Sequence, residues 1–468
     1  MKKIAVICFI LAIILCSQPV FAAENVIDGS VVNGCRTMDG QVPLLGDQQL
    51  IKNAKAVVLY EVTADTLMYA YNADVQLPPS SLLKILTALI AIENGNLTDA
   101  VTVQEEVLST LDKDAAVVEL VVDEVLTVKD LLYCMMVGSG NDAAVILADH
   151  VMGSQEAFVE EMNHYAEDLG CTGTHFTNVH GLHDEDQYTT ARDVARIVKM
   201  AIENETFCEI FGAKYYSVPA TNKAEARHLE SQNYLMNNDH VIIHYDERVT
   251  GSRTAVAYDR TRSIASVARA GDMQLICIVM GSDSVYEKDG YTVKVFGGYD
   301  ETKKMLDNGF TGYQTAQILY DNQIVLQKTV PNGTSDLTVG IREGALSVVP
   351  VNTTLESLSF RYANEIPLEA PIKKGQKVCS LQVWCGAVCI AETDLYAMNQ
   401  VFHIGEVSDD TGIQSNRVGF GKIFLWSIGG IVAVILLGFV VLTVIRSTNI
   451  SKVKRRSIQH SRNRRRSR

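Results

Sequence analysis

A serine hydroxyl and a lysine amine lie three residues apart at Ser81 and Lys84, within Pro78-Pro79-Ser80-Ser81-Leu82-Leu83-Lys84-Ile85-Leu86. On a helix that spacing nearly completes a turn, so the two side chains share a face. A lysine placed there can take the hydroxyl proton and activate a serine nucleophile without histidine. Leu82, Leu83, Ile85, Leu86, Leu89 and Ile90 predict that the helix is buried. Burial disfavours the ammonium form, which is what a lysine base requires. The same spacing recurs at Ser451 and Lys454, but in a basic, polar tail that offers no such burial.

Two further segments carry chemistry. Gly138-Ser139-Gly140-Asn141-Asp142-Ala143-Ala144 separates two apolar helical runs, and Val249-Thr250-Gly251-Ser252-Arg253-Thr254-Ala255 enters a strand pattern. Ser-x-Asn alone recurs at Ser231 to Asn233 and Ser461 to Asn463, so order and neighbours give the triplet its meaning. Together the three segments resemble the penicillin-recognising serine D-alanyl-D-alanine carboxypeptidases, the low-molecular-mass penicillin-binding proteins, whose elements are Ser-x-x-Lys, Ser-x-Asn and Lys-Thr-Gly. Pro79 to Leu89 is similar to the family's Pro-Ala-Ser-x-Thr-Lys-Ile-Met-Thr-Ala-Leu block, which selects Ser81 over Ser80. Ser139 to Ala144 matches the second block unchanged, and Gly181-Leu182 with Tyr188 to Asp193 resembles another. The resemblance runs from Asn53 to Gly309, and Ala370 to Gln376 resembles the β-rich C-terminal domain of many members.

That resemblance implies an α/β, β-lactamase/transpeptidase-like domain: an antiparallel sheet flanked by helices, plus a helical subdomain. It implies that Lys84 deprotonates Ser81, which attacks the carbonyl between two D-alanines of a peptidoglycan stem peptide. Backbone amides of Ser81 and Val256 would hold the oxyanion, and Ser139 would relay a proton to the leaving amine. Asn141 would position the substrate amide, while Arg253 and Thr254 would bind the terminal carboxylate. β-Lactams would acylate Ser81 by the same route, and no metal or organic cofactor is implied.

The third element departs from the family pattern. Arg253 keeps the positive charge of the usual lysine but cannot relay a proton. Ala255 replaces a glycine and adds a Cβ where the strand nears the nucleophile. These departures support an alternative reading, a catalytically weak or inactive member that binds stem peptides or wall-synthesis partners.

The elements that must position these residues follow from periodicity. Ala56 to Glu61 and Leu67 to Tyr71 alternate as a strand pair around Thr63-Ala64-Asp65. Helical runs follow at Val128 to Val137, Asp142 to His150 and Gln155 to Leu169, and then a helix capped by Thr190 with Asp193 three residues on. Strands return at Val249 to Val256, Ser263 to Arg269 and Met273 to Met280, before a last helix at Glu301 to Asn308. Strands at both ends with helices between predict one sheet joining the two ends. Beyond Ala316, short alternating runs at Gln323 to Val330, Leu346 to Val351, Leu355 to Tyr362 and Val378 to Trp384 predict an all-β module.

The termini predict location. Lys2 and Lys3, the apolar Ile4 to Leu15 and Val20-Phe21-Ala22 read as a signal peptide over 1–22. Ile423 to Ile445 is uncharged and long enough for one membrane-spanning helix. Ten Lys and Arg without an acidic residue follow at 446–468, which predicts a cytoplasmic tail. The expected plan is therefore a lead-in at 23–43, a catalytic domain at 44–315, a β-rich domain at 316–400 and a juxtamembrane connector at 401–422. The expected location is a bacterial cell membrane, spanned once through the C-terminal helix, with the catalytic domain outside. The chain's net charge of −14, carried despite that basic tail, argues against nucleic acid as a partner. Cys134 and Cys277 read as buried thiols, and a bridge is expected within the cluster Cys379, Cys385 and Cys389.

Overall fold

The computed structural model describes residues 43–45 and 50–405, apart from 114, 240, 241, 287, 289–292, 296, 364 and 365. The expected signal peptide, membrane helix and basic tail lie outside the described residues. Among those described, no helix is long and apolar enough to cross a membrane.

The strand pair forms as β1 (Ala56–Glu61) and β2 (Thr66–Tyr71). A helical section follows, with α1 (Lys84–Asn94), α2 (Val128–Met136), α3 (Asn141–Met152), α4 (Gln155–Asp168), α5 (Ala191–Ala201) and α6 (Glu205–Phe211). Strands β3 (Val249–Val256), β4 (Arg262–Ala270) and β5 (Met273–Ser282) then return, and α7 (Tyr299–Gly312) closes the domain. The sheet is antiparallel in the order β2-β1-β5-β4-β3, so the first and last parts of the domain meet where β1 pairs with β5.

Every residue of β1 is buried, because both faces of the sheet are covered. Ala56, Val58 and Tyr60 join the core of the helical section, while Val57 and Leu59 pack with Met305 and Leu306 of α7. This arrangement leaves β3 at the sheet edge, against the turn that carries Ser81. Thr190 caps α5 as expected, its side chain accepting from the Asp193 amide.

The β-rich module contains β6 (Tyr313–Leu319), β7 (Ile324–Lys328), β8 (Leu337–Ile341), β9 (Ala345–Pro350), β10 (Leu358–Ala363), β11 (Lys377–Cys385) and β12 (Val388–Ala397). Its five-stranded sheet runs β7-β8-β12-β11-β10, beside the pair β6-β9. Cys134 and Cys277 are buried free thiols. The bridge expected within the C-terminal cysteine cluster does not form: neither Cys379 nor Cys385 is in a disulfide, and Cys389 is disulfide-bonded to a cysteine outside the cluster. The hairpin register explains this, since Cys379 faces Leu395, Cys385 faces Val388 and Cys389 faces Trp384.

The segment before α2 lies over the second motif and is pinned at both ends. Asp142 accepts from the amides of Val118 and Leu120, at 3.1 and 3.0 Å. Fully buried Glu124 accepts from Arg227 at 2.5 and 2.7 Å. Removing one partner of such a pair leaves an uncompensated buried charge. Arg227→Ala is therefore expected to lower unfolding free energy by about 3–5 kcal/mol in urea denaturation; a loss near zero would show that solvent reaches Glu124.

Candidate active site

The nucleophile turn starts at Pro79, whose φ of −67° suits a helix entry. Ser80–Leu83 form a 3₁₀ turn leading directly into α1, rather than the α-helix read from the sequence. In a 3₁₀ turn residues i and i+3 eclipse, so Ser81 and Lys84 align more closely than α geometry would bring them. The Ser81 amide lies in the first turn, where helical geometry supplies no partner.

Ser80 occupies the left-handed region at φ 46°, which is strained for a residue with a side chain. Gly181 is packed directly against it. A Cβ on Gly181 would lie 2.2 Å from Ser80 O and 2.9 Å from the Ser81 amide nitrogen, and its own φ is +90°. Asn178 holds this loop, accepting from the Gly181 amide at 2.7 Å and donating to Leu182 O at 3.1 Å.

Lys84 is fully buried. Its Nζ donates to Ser139 O at 2.9 Å and to Asn141 Oδ1 at 2.5 Å. Burial, and then the nearby Arg253 charge, hold its pKa well below the ordinary lysine value, with Asp142 opposing. Asn141 begins α3, but neither it nor Ser139 caps the helix; Gly140 is the N-cap. Ser139 also sits in the left-handed region, at φ 61°.

Arg253 is 5 % exposed and reaches across from β3. Its Nε donates to Ser81 O at 2.7 Å, Nη1 to Met136 O at 2.8 Å and Nη2 to Ser139 Oγ at 3.1 Å. Expected as a hook for a substrate carboxylate, its guanidinium is tied here to the other two motifs. Burial lowers its pKa to about 10, so it remains cationic at neutral pH. The Ala255 Cβ joins the apolar core and leaves the register with β4 unbroken from Gly251 to Val256.

The Val256 amide is aimed by strand geometry. The Ala257 amide donates to Thr261 O at 2.9 Å, towards β4. Successive amides point to opposite edges of a strand, so that of Val256 points off the free edge of β3, the edge facing the nucleophile turn. Beside it lies a cavity of about 220 Å³, lined by Pro79, Ser80, Leu182, Val256 and Tyr258 among others. The His183 ring stacks on Tyr258 at 3.9 Å.

The structure therefore brings Ser81, Lys84, Ser139, Asn141 and Arg253 into one polar cluster, with Thr254 and Val256 on the strand beside it. A family profile described as D-alanyl-D-alanine carboxypeptidase matches residues 46–284, half of the chain. The chain belongs to the D-alanyl-D-alanine carboxypeptidase family. A second profile, for the C-terminal domain of penicillin-binding protein 5, matches residues 313–402 of this carboxypeptidase.

Among curated relatives, the carboxypeptidase is 29% identical to D-alanyl-D-alanine carboxypeptidase DacC of Escherichia coli over 75% of this chain and 84% of that one. It is 26% identical to DacF of Bacillus subtilis over 77% and 89% respectively. The crystal structure of penicillin-binding protein 5 from Haemophilus influenzae aligns with TM-score 0.60 and 28% identity, covering 75% of this chain and 98% of that one. The carboxypeptidase is thus a serine-type enzyme of peptidoglycan metabolism with the α/β penicillin-binding fold and a β-rich C-terminal domain.

His180, to which the sequence assigns no role, also lies near this cluster. Its Nδ1 accepts from the Leu182 amide at 3.2 Å, and burial, followed by the charge of Lys84, lowers its pKa to about 4. The only cue was its place beside Gly181 in a matched block. The close approach of Gly181 to Ser80 makes a direct test possible. Gly181→Ala is expected to slow penicillin acylation of Ser81 roughly a hundredfold, the loss typical of a displaced oxyanion donor. Gly153→Ala, also at positive φ but facing open space, should leave acylation unchanged. Equal rates for both variants in intact-mass time courses would remove Gly181 from the machinery.

Proposed function

We propose that this chain is a membrane-anchored serine D,D-carboxypeptidase that removes the terminal D-alanine from peptidoglycan stem pentapeptides through an acyl-enzyme on Ser81. The observation that carries the mechanism is the pair of acceptors on Lys84, Ser139 O and Asn141 Oδ1. A neutral amine has two N–H donors and one lone pair. With both donors engaged, the lone pair is what remains to accept the Ser81 proton.

Ser81 then attacks the scissile carbonyl, and its own amide and that of Val256 receive the oxyanion. Ser139 relays a proton to the leaving D-alanine, Asn141 orients the substrate amide and Thr254 meets the terminal carboxylate. Arg253 contributes charge: a fixed cation near Lys84 favours the neutral amine before reaction. Water hydrolyses the ester, and a β-lactam follows the same first step. The signal peptide at 1–22, the anchor at 423–445 and the cytoplasmic tail at 446–468 would present the catalytic domain outside a bacterial membrane, on a β-rich spacer at 316–400.

D-Alanine release from a pentapeptide by the full-length protein in detergent tests this reading, alongside penicillin adducts by intact mass and with Ser81→Ala as control. Absence of both release and adduct in the unaltered protein would refute it. The pH profile supplies a second test. Acylation should rise with pH as Lys84 loses its proton, with a midpoint well below the ordinary lysine value. Removing a neighbouring cation favours the ammonium form, so Arg253→Gln should shift the rising limb of kcat/KM to higher pH. A limb that stays in place would show that the Arg253 charge does not govern the base.

A further inference from the structure

Gly181 presses on Ser80 and on the Ser81 amide, so that amide is only as well placed as the loop behind it. Side chains and main chain fasten this loop at several points. Gln187, 4 % exposed, accepts from the amides of Thr177 and Asn178 at 3.2 and 3.3 Å and donates to Leu182 O at 3.1 Å. Thr189 pairs with Leu77 through main-chain hydrogen bonds of 2.8 and 2.9 Å, just ahead of Pro78-Pro79-Ser80-Ser81. Thr87 adds a link to α1. Its fully buried hydroxyl donates to Val179 O at 2.9 Å, and Val179 stands two residues before Gly181. The 3₁₀ turn aligns Ser81 with Lys84, and the next three residues of helix bring Thr87 beside Lys84 on the same face. The contacts form a closed circuit: Ser81 and Lys84 lead along α1 to Thr87, Thr87 to Val179, and Gly181 back to Ser80 and Ser81.

We propose that Thr87 is a positioning residue for acylation: its hydroxyl holds the 177–182 loop at the distance from α1 that seats Gly181 against the Ser81 amide. The inference rests on the carboxypeptidase reading and adds to it a residue that acts through the loop rather than on the substrate. A threonine inside a helix ordinarily turns its hydroxyl back to the carbonyl four residues earlier. Here Leu83 O is 3.4 Å away and Val179 O 2.9 Å, so the single proton goes to the loop. Val179 is itself fully buried, and among the described residues no other group donates to its carbonyl. Without the Thr87 hydroxyl that oxygen is left unsatisfied, and the loop relaxes to find it a partner. Movement of Val179 carries Gly181 with it, and Ser80, held at φ 46° beneath Gly181, is free to follow. Valine has nearly the shape of threonine without the donor, and serine keeps the donor without the methyl group.

The test follows penicillin acylation of the full-length protein in detergent by intact mass. Each rate constant is taken from the approach to that variant's own final extent of adduct, so misfolded protein does not count. Thr87→Val is expected to slow acylation about tenfold, the scale of one buried hydrogen bond left unmade. Thr87→Ser should stay within about twofold of the unaltered rate, because the bond is kept. The deciding comparison is the double variant with Gly181→Ala. Substitutions acting through one contact are not additive, so Thr87→Val should cost little more once Gly181→Ala is present. Independent effects would instead multiply to about a thousandfold. Multiplying effects, an unaltered rate in Thr87→Val, or a loss that Thr87→Ser shares would each overturn the proposal with the carboxypeptidase reading intact. An unaltered protein that forms no adduct would bring down the acyl-enzyme reading, and the role of Thr87 with it.

Discussion

Two basic side chains are buried side by side in this domain, and an apolar interior does not tolerate two adjacent full charges cheaply. The structure resolves the conflict by making the residues unlike. The guanidinium of Arg253, intrinsically the harder to deprotonate, stays charged and is surrounded by main-chain and hydroxyl oxygens. The amine of Lys84 yields, pressed towards neutrality by burial and by that neighbour. An arginine in place of the family's usual lysine therefore keeps a fixed charge beside Lys84, which adds to burial in lowering the lysine pKa. The surrounding segments exist in the right places to satisfy this pair: the Ser139 carbonyl, the Asn141 amide oxygen, the Met136 carbonyl at the end of α2 and the Ser81 carbonyl itself.

Much of this was legible in the sequence because strong periodicity and matched blocks coincide. Strands β1 and β3 fall on the residues read from alternation, and the closing of the sheet by β1 and β5 follows from strands flanking a helical run. Ser81, Lys84, Ser139, Asn141 and Arg253 were each singled out and are found together. What escaped was set by backbone detail. The 3₁₀ turn at Ser80–Leu83 differs from an α-turn by one hydrogen-bond register, which side-chain pattern does not encode. The left-handed Ser80 depends on Gly181, a hundred or so positions away in sequence. In the C-terminal module, β6, β8 and β12 fall outside the runs singled out, and the cysteine cluster was misread because spacing along a hairpin does not reveal which residues oppose.

The departures that first argued for a weakened enzyme take on a different weight in three dimensions. Ala255 places its methyl into the core, where it adds packing on the face away from Thr254 and Val256. Arg253, longer and forked, reaches two other motifs at once, a span that one ammonium does not bridge with the same geometry. Both residues lie on an edge strand, whose free side would otherwise present unpaired backbone groups. Here that side faces the nucleophile turn.

The placement of β3 at the edge, joined to the sheet through β4 and then β5, has a consequence in time. Ser81 and Lys84 are synthesised early, yet the strand that completes their surroundings is anchored by segments made much later, and the last of these pairs with the first strand of the domain. The surroundings of Ser81 are therefore complete only once the two ends of the domain have met in the sheet.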